Sequence, residues 1–286
     1  MSKILNMSKI LKKLLPKSYY QQIKSIYYTL RFDKTKNYNL SKDLDYNENL
    51  LISLNFDIEK IKFKLNSLNY SYQDQLLSWH YHLFAGLKDY FENKNINILE
   101  IGTFNGQFTN FIAEIFDNAL ITTIDLDDSD QQFINSYGRE KKLDEFCETR
   151  KKNLIKKNIN FIQLNSIHMK KHFYGKKFDL IWIDGDHLNP QVTADIINSL
   201  DLLNNDGIIC VDDVIMDINF KKNKYGSNEG FFTLKYLEDN QILKNYYLIK
   251  RIRKSNAIKK KYISISVFKD NFKFRWRNKK PPEISF

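Results

Sequence analysis

Apolar residues are arranged in two different ways along the chain. Up to residue 92 they recur at helical spacing: Ile4, Leu5, Ile10, Leu11, Leu14 and Leu15 with lysines between, then Leu51, Leu54, Ile58, Ile61 and Leu65, then Leu76 to Phe91. That period predicts amphipathic helices, the first with a basic polar face. Pro16 interrupts the first helix, and the polar run 32–50 reads as a linker. From Asn95 onward, short continuous apolar runs alternate with longer amphipathic ones. INILEI (96–101), LITTIDL (120–126), NFIQLN (160–165), FDLIWID (178–184) and GIICVDD (207–213) read as buried strands. FTNFIAEIF (108–116) and PQVTADIINSLDLL (190–203) read as helices. Uninterrupted apolar strands separated by helices predict a parallel sheet covered on both faces. YYLIKRI (246–252) and KYISISVF (261–268) flank a basic loop and read as an antiparallel pair closing that sheet. Residues 269–286 form a basic, aromatic tail.

Composition narrows the class. The 286 residues allow one large domain or one domain with an appendage, and 42% apolar content is enough for a sizeable core. Mean hydropathy is −0.51, and no uninterrupted apolar run reaches membrane-spanning length. Lys3, Lys9, Lys12 and Lys13 break up the apolar core that a secretory signal would need. Two cysteines, Cys147 and Cys210, make neither a disulfide scaffold nor a zinc ribbon, so a reducing cytoplasm is expected. The formal charge of +11 is uneven: residues 1–31 carry +7, residues 250–286 carry +11, and the middle carries −7. Basic ends fit an anionic partner, and equally a solvated lysine-rich surface.

The first predicted strand runs into a candidate ligand loop. ILEIGTFNGQFT holds Glu100, Gly102 and Gly106 between a strand and a helix, where glycines let the backbone turn tightly and a helix N-terminus offers free N–H groups. The Gly-x-x-x-Gly spacing, with Phe104 in the middle, departs from the dinucleotide fingerprint. Asp125 ends the second strand, 25 residues after Glu100. An acid there can accept hydrogen bonds from both ribose hydroxyls, though alone it would also serve as a turn or helix-capping residue. Asp184, Asp212 and Asp213 end two further strands, at the edge where an open parallel sheet forms its ligand crevice. Three converging carboxylates repel unless neutralised, and a hard divalent cation would do this. Capping of the following turn is the other role open to Asp212 or Asp213.

These segments resemble class I S-adenosylmethionine-dependent methyltransferases over residues 96–268. The resemblance implies a Rossmann-like α/β fold, a mainly parallel seven-stranded sheet with a terminal antiparallel hairpin, preceded here by N-terminal helices. It divides the chain into a basic segment and linker (1–45), a methyltransferase domain with a helical cap (46–268) and a basic tail (269–286). It further implies S-adenosyl-L-methionine as cofactor. Glu100, Gly102, Thr103, Asn105 and Gly106 would hold its methionine part, Asp125 its ribose, and Ser166 would lie near the adenine. A surface turn is an equally good reading for Ser166. IDGDH (183–187) with the later acidic pair is similar to metal-dependent O-methyltransferases, including bacterial enzymes acting on macrolide sugars. By that likeness Asp184, Asp212 and Asp213 would hold Mg²⁺, Asp184 facing the cofactor as well. Asp213 stands where catechol-type relatives have Asn.

His187 stands three residues after Asp184, where the catechol enzymes carry a lysine. An imidazole is a suitable general base at neutral pH. It could also be a ligand or positioning group, or a cap for the helix near Pro190. His80 and His82 are two apart and would point to different sides of a helix, so they read as part of an aromatic packing helix. His168 and His172 read as a solvated face. The charged stretch 127–158 is long enough to form a lid, and 217–230 is a second candidate for shaping the acceptor site.

The expected activity is therefore O-methylation of a small-molecule or sugar hydroxyl. Two alternatives rest on the basic ends. One is a nucleic-acid methyltransferase, disfavoured because no NPPY-type tetrapeptide follows the fourth strand. The other is a non-catalytic scaffold at a membrane surface or on a partner. The expected location is the cytoplasm, at the inner membrane face if the basic N-terminus docks there; a homo-oligomer is compatible with the sequence.

Overall fold

The structure is a computed structural model that describes residues 40–73, 77–91, 94–136, 139–223, 226–252 and 260–269. The basic helix expected in 1–31 and nearly all of the basic tail lie outside the described residues.

Three helices come first: α1 (Leu40–Ser53), α2 (Ile58–Ser67) and α3 (His80–Tyr90). There follow β1 (Asn97–Ile101), α4 (Gln107–Ile115), β2 (Leu120–Asp125), α5 (Gln131–Asn135), α6 (Leu143–Asn153), β3 (Ile159–Gln163), α7 (Met169–His172), β4 (Phe178–Ile183), α8 (Gln191–Leu202), β5 (Leu203–Val214), α9 (Glu229–Asp239), β6 (Leu243–Ile249) and β7 (Tyr262–Phe268). The seven strands form one sheet in the order β3-β2-β1-β4-β5-β7-β6. β1 to β5 are parallel, and β7 is antiparallel to both its neighbours. This is the Rossmann-like α/β fold expected from the sequence, a mainly parallel seven-stranded sheet with a terminal antiparallel hairpin.

Alternation along each strand builds two cores. Ile98, Ile121, Leu180, Trp182 and Cys210 face a layer holding Leu51, Ile61, Phe84 and Phe111 from α1 to α4. Leu99, Ile101, Ile124, Ile183 and Val211 face Val192, Ile196 and Leu200 of α8 and Leu234 of α9. Both faces are dry, which is why these strands read as continuous apolar runs.

The expected linker is partly helix: α1 begins at Leu40, inside the 32–50 stretch. Its polar composition hides a sparse inward stripe, with Asp43, Asn47 and Leu51 buried at helical spacing. Asn47 bonds to the backbone of the edge strand β6, its Nδ2 donating to Ile249 O at 2.9 Å and its Oδ1 accepting from Ile249 N at 2.8 Å. A helix side chain thus satisfies strand-edge groups that would otherwise be exposed. The 127–158 stretch folds as α5 and α6 against the loop after β1, with Asn153 Nδ2 donating to Asn105 O at 2.7 Å. Among the described residues, no helix is long and apolar enough to cross a membrane.

Candidate active site

Every strand that runs parallel to β1 ends at the same edge of the sheet, so the chemistry-bearing residues after β1, β2, β4 and β5 collect there. The loop after β1 is tied down by its neighbours. The amides of Gly102 and Thr103 both donate to Ile124 O, and Gly106 N donates to Thr103 O at 2.9 Å. Gly102 has φ +101°, and a Cβ there would lie 2.4 Å from Asp184 O. Gly106 has φ +73°, and a Cβ would meet Leu154 Cδ2 at 2.8 Å. Both positions therefore need glycine, for conformation and for space. Asn105 Oδ1 accepts from Gln107 N at 3.1 Å, opening α4.

Glu100 is buried in a chain of hydroxyls. Its Oε2 accepts from Thr109 Oγ1 at 2.5 Å and from Thr123 Oγ1 at 2.6 Å. Thr123 spends its one proton on Glu100, so Thr103 Oγ1 must donate to Thr123 across their 2.6 Å contact. Burial raises the Glu100 carboxyl to about 8, and the two threonine bonds only partly oppose this. Asp125 ends β2 with Oδ2 accepting from Phe104 N at 2.7 Å and Oδ1 from Leu126 N at 2.8 Å. Each oxygen keeps a lone pair for a ligand hydroxyl. Burial raises its pKa against these amide bonds.

Beside this loop lies a second cluster. His187 Nε2 is 3.4 Å from Asp184 Oδ1 and 3.7 Å from Asp213 Oδ2. Burial works to lower the His187 pKa, but Asp184 and Asp213 outweigh it and raise it above the ordinary value. Burial and the Asp212 charge push Asp184 up to about 7. Asp213 has a left-handed backbone, φ 54°, costly for a non-glycine residue. Its side chain is gripped on both oxygens: Lys250 Nζ donates to Oδ1 at 2.6 Å, and Lys261 Nζ donates to Oδ2. Lys250 also donates to Asp212 Oδ2. The lysines hold Asp213 and Asp212 below the usual carboxylate range despite burial.

The sequence reading missed these two lysines, although the topology explains them. β7 runs antiparallel to β5, so its first residues lie beside the end of β5, and β6 ends there too. Lys250 N donates to Lys261 O at 2.9 Å, and Trp79 N donates to Lys250 O at 2.8 Å, which fixes the backbone carrying Lys250. The available signal was a lysine immediately outside each apolar strand run, LIK at the end of one and KKY at the start of the other.

The expected Mg²⁺ ligands are therefore neutralised from within the chain. Oxygens of Asp212 and Asp213 already accept from ammonium groups, and His187 adds a third basic partner against three carboxylates. Among the described residues, no group of three or more His, Cys, Asp or Glu side chains is disposed to hold a metal ion. Asp212 Oδ1 is a buried acceptor without a partner, but the other oxygens of this pair hold ammonium protons, so the donor set fits a divalent cation only if Lys250 or Lys261 withdraws.

Ser166 is joined to a different element. Its Oγ accepts from Gln191 Nε2 at 2.7 Å, and Gln191 also donates to Asp195 Oδ1 at 2.8 Å. Asp195, also missed, is fully buried, and a Cβ on Gly185 would lie 3.6 Å from its Oδ2. It lies against the turn after β4. His82 is a core residue, stacked on Trp79 with its Nε2 at 3.0 Å from Tyr72 O, as the packing reading requires. His80 packs against Trp182, and burial lowers its pKa to about 3. His168 and His172 are exposed.

Residues 99–214 match the family model of a methyltransferase domain, a stretch that contains the glycine loop, the three aspartates and His187 but neither Lys250 nor Lys261. The likeness to a methyltransferase domain thus spans about two fifths of the chain. Among solved structures it is similar to an O-methyltransferase from Bacillus cereus in complex with SAH, at 17% identity and TM-score 0.45, covering 86% of this chain and 98% of that one. It is also similar to the O-methyltransferase TomG from Streptomyces achromogenes in complex with SAM, at 14% identity and TM-score 0.42, covering 80% and 96%. No curated protein matches the chain.

Proposed function

We propose that this chain transfers a methyl group from S-adenosylmethionine to a hydroxyl of a small molecule or sugar. One observation carries the reading. The glycine loop with Glu100 and Asp125 meets an imidazole set between two carboxylates, at one edge of the sheet.

The residues fit the cofactor. Asp125 retains lone pairs for two ribose hydroxyls, and Glu100 Oε1 can face the cationic methionine end on giving up the proton that burial favours there. Thr103, Asn105 and Gly106 shape the loop, while Ser166 and Asp195 support the adjoining turn. The cofactor supplies an electrophilic methyl on a sulfonium. His187 takes the proton from the acceptor hydroxyl as the oxygen becomes nucleophilic. With Nε2–H turned toward Asp184, Nδ1 is the nitrogen that receives it. Asp184 and Asp213 stabilise the imidazolium that results, which is also why they raise its pKa. Mg²⁺ has no step in this reading, because Lys250 and Lys261 already neutralise the carboxylates.

Calorimetric titration of S-adenosylhomocysteine, followed by transfer of a labelled methyl to a panel of hydroxylated acceptors with sugars first, tests the reading. Micromolar binding with label on acceptor oxygen is the expected result. Absence of binding overturns it.

A further inference from the structure

We infer that Lys250 and Lys261 form a built-in counter-cation, occupying the place where a divalent ion would sit, so that this site takes no metal. The inference deepens the proposed methyltransferase reading and rests on it only for what the site does, not for what fills it.

Three observations carry it. First, the ammonium groups bond the same carboxylates a cation would use: Lys250 on Asp212 and Asp213, Lys261 on the second oxygen of Asp213. Mg²⁺ binds oxygen at about 2.0–2.1 Å. It cannot share a lone pair with an ammonium proton, so metal entry would require the lysines to leave.

Second, Lys250 has nowhere to go. Its side chain is 9% exposed, and its backbone is held on both sides, N to Lys261 and O to Trp79. Withdrawn from the aspartates, it would be a buried charge without a partner, which is far more costly than an exposed one. Lys261 is a third exposed and would be the easier of the two to displace.

Third, the charges nearly balance. Asp184, Asp212 and Asp213 face the ammonium groups of Lys250 and Lys261, and His187 adds a positive charge only when protonated. A dication added to this set would leave an excess of buried positive charge. Lys250 and Lys261 also grip both oxygens of Asp213, and so are positioning residues for the carboxylate beside His187.

The test uses full-length protein and Mn²⁺ as a paramagnetic probe. The expected result is that the wild type leaves the free Mn²⁺ resonance undiminished at millimolar metal, and that EDTA changes neither its melting temperature nor its affinity for S-adenosylhomocysteine. Lys250→Met uncovers Asp212 and one oxygen of Asp213, and should bind Mn²⁺ at least about tenfold more tightly than the wild type. Stoichiometric Mn²⁺ binding by the wild type, lost in Asp213→Asn, would overturn the inference. A folded Lys250→Met that takes up no more Mn²⁺ than the wild type would overturn it equally. If that variant does not fold, the wild-type titration decides alone. Failure to bind S-adenosylhomocysteine with or without metal would count against the methyltransferase reading, while the Mn²⁺ result would still decide the counter-cation.

Discussion

The amide of Phe104 donates to Asp125 Oδ2 at 2.7 Å, which ties the loop after β1 to the end of β2. Phe104 has φ 50°, an uncommon conformation that needs such an external hold. Asp125 therefore has two tasks, fixing the loop and offering lone pairs to a ribose. Asp125→Ala removes both. A charge-assisted hydrogen bond contributes about 1.5–3 kcal/mol, so affinity for S-adenosylhomocysteine should fall by about 10- to 100-fold or more. Calorimetry checks this, with circular dichroism to establish that the variant remains folded.

Gly102 joins the same loop to β4. Its positive φ and the 2.4 Å approach a Cβ would make to Asp184 O leave no room for a side chain. The obstacle is backbone, which cannot rotate away. Gly102→Ala should destabilise the protein by about 3 kcal/mol or more, read as a lowered midpoint in urea. It should also lower cofactor affinity by displacing Asp184, whereas Gly175→Ala, with nothing within 4 Å, should change affinity little.

These two residues illustrate what the sequence made legible. The strands were readable because both faces of the sheet are dry and their runs are continuous, and the site acids were readable because each ends such a run. Asp184, Asp212 and Asp213 do converge with His187. The partners of the acids were not readable. Lys250 reaches Asp212 across 38 positions, through an antiparallel strand pair whose register no local pattern encodes. Three carboxylates therefore suggested a missing cation, when the cation was elsewhere in the chain. Helix α1 was missed for a related reason: its inward face carries Asp43 and Asn47, whose long-range partners replace the apolar stripe that a period search detects.

Asn47 gives a third prediction. It is fully buried and bonds both backbone groups of Ile249 on edge strand β6. Asn47→Ala leaves a buried N–H and a buried C=O without partners, costing about 1–3 kcal/mol for each group. The melting temperature should drop by several degrees, and hydrogen exchange at Ile249 should accelerate more than at β1. Equal acceleration in both strands would mean that α1 does not specifically guard the edge.

Glu100 sets a pH dependence of stability with a definite sign. Its carboxyl lies at about 8 in the fold, against 4.5 when solvated. Between these values the folded state holds a proton that the unfolded chain has lost. Its contribution is therefore fully present below about pH 4.5 and is lost as pH rises through 8, with a steepest slope of about 1.4 kcal/mol per pH unit. Asp184 and Asp195 are also raised and slope the same way, so the difference between wild type and Glu100→Gln isolates Glu100. Urea unfolding at pH 5, 6.5 and 8 should show the wild type losing more stability than the variant over this interval. Parallel losses would place the proton elsewhere.

His187 separates chemistry from binding. It lies beside Asp184 and Asp213 rather than in the glycine loop, so His187→Ala should leave S-adenosylhomocysteine affinity within a few fold. The turnover number should drop by about 10²–10⁴-fold, the usual contribution of a general base. The wild-type rate should rise with pH along a limb centred above the ordinary imidazole value of 6.5, because the neutral ring is the active form and the neighbouring carboxylates raise its pKa. Asp213→Asn removes one of those charges, and the limb should move to lower pH. Should His187→Ala keep full turnover, or should the limb stay in place in Asp213→Asn, the proton must leave the acceptor by another route.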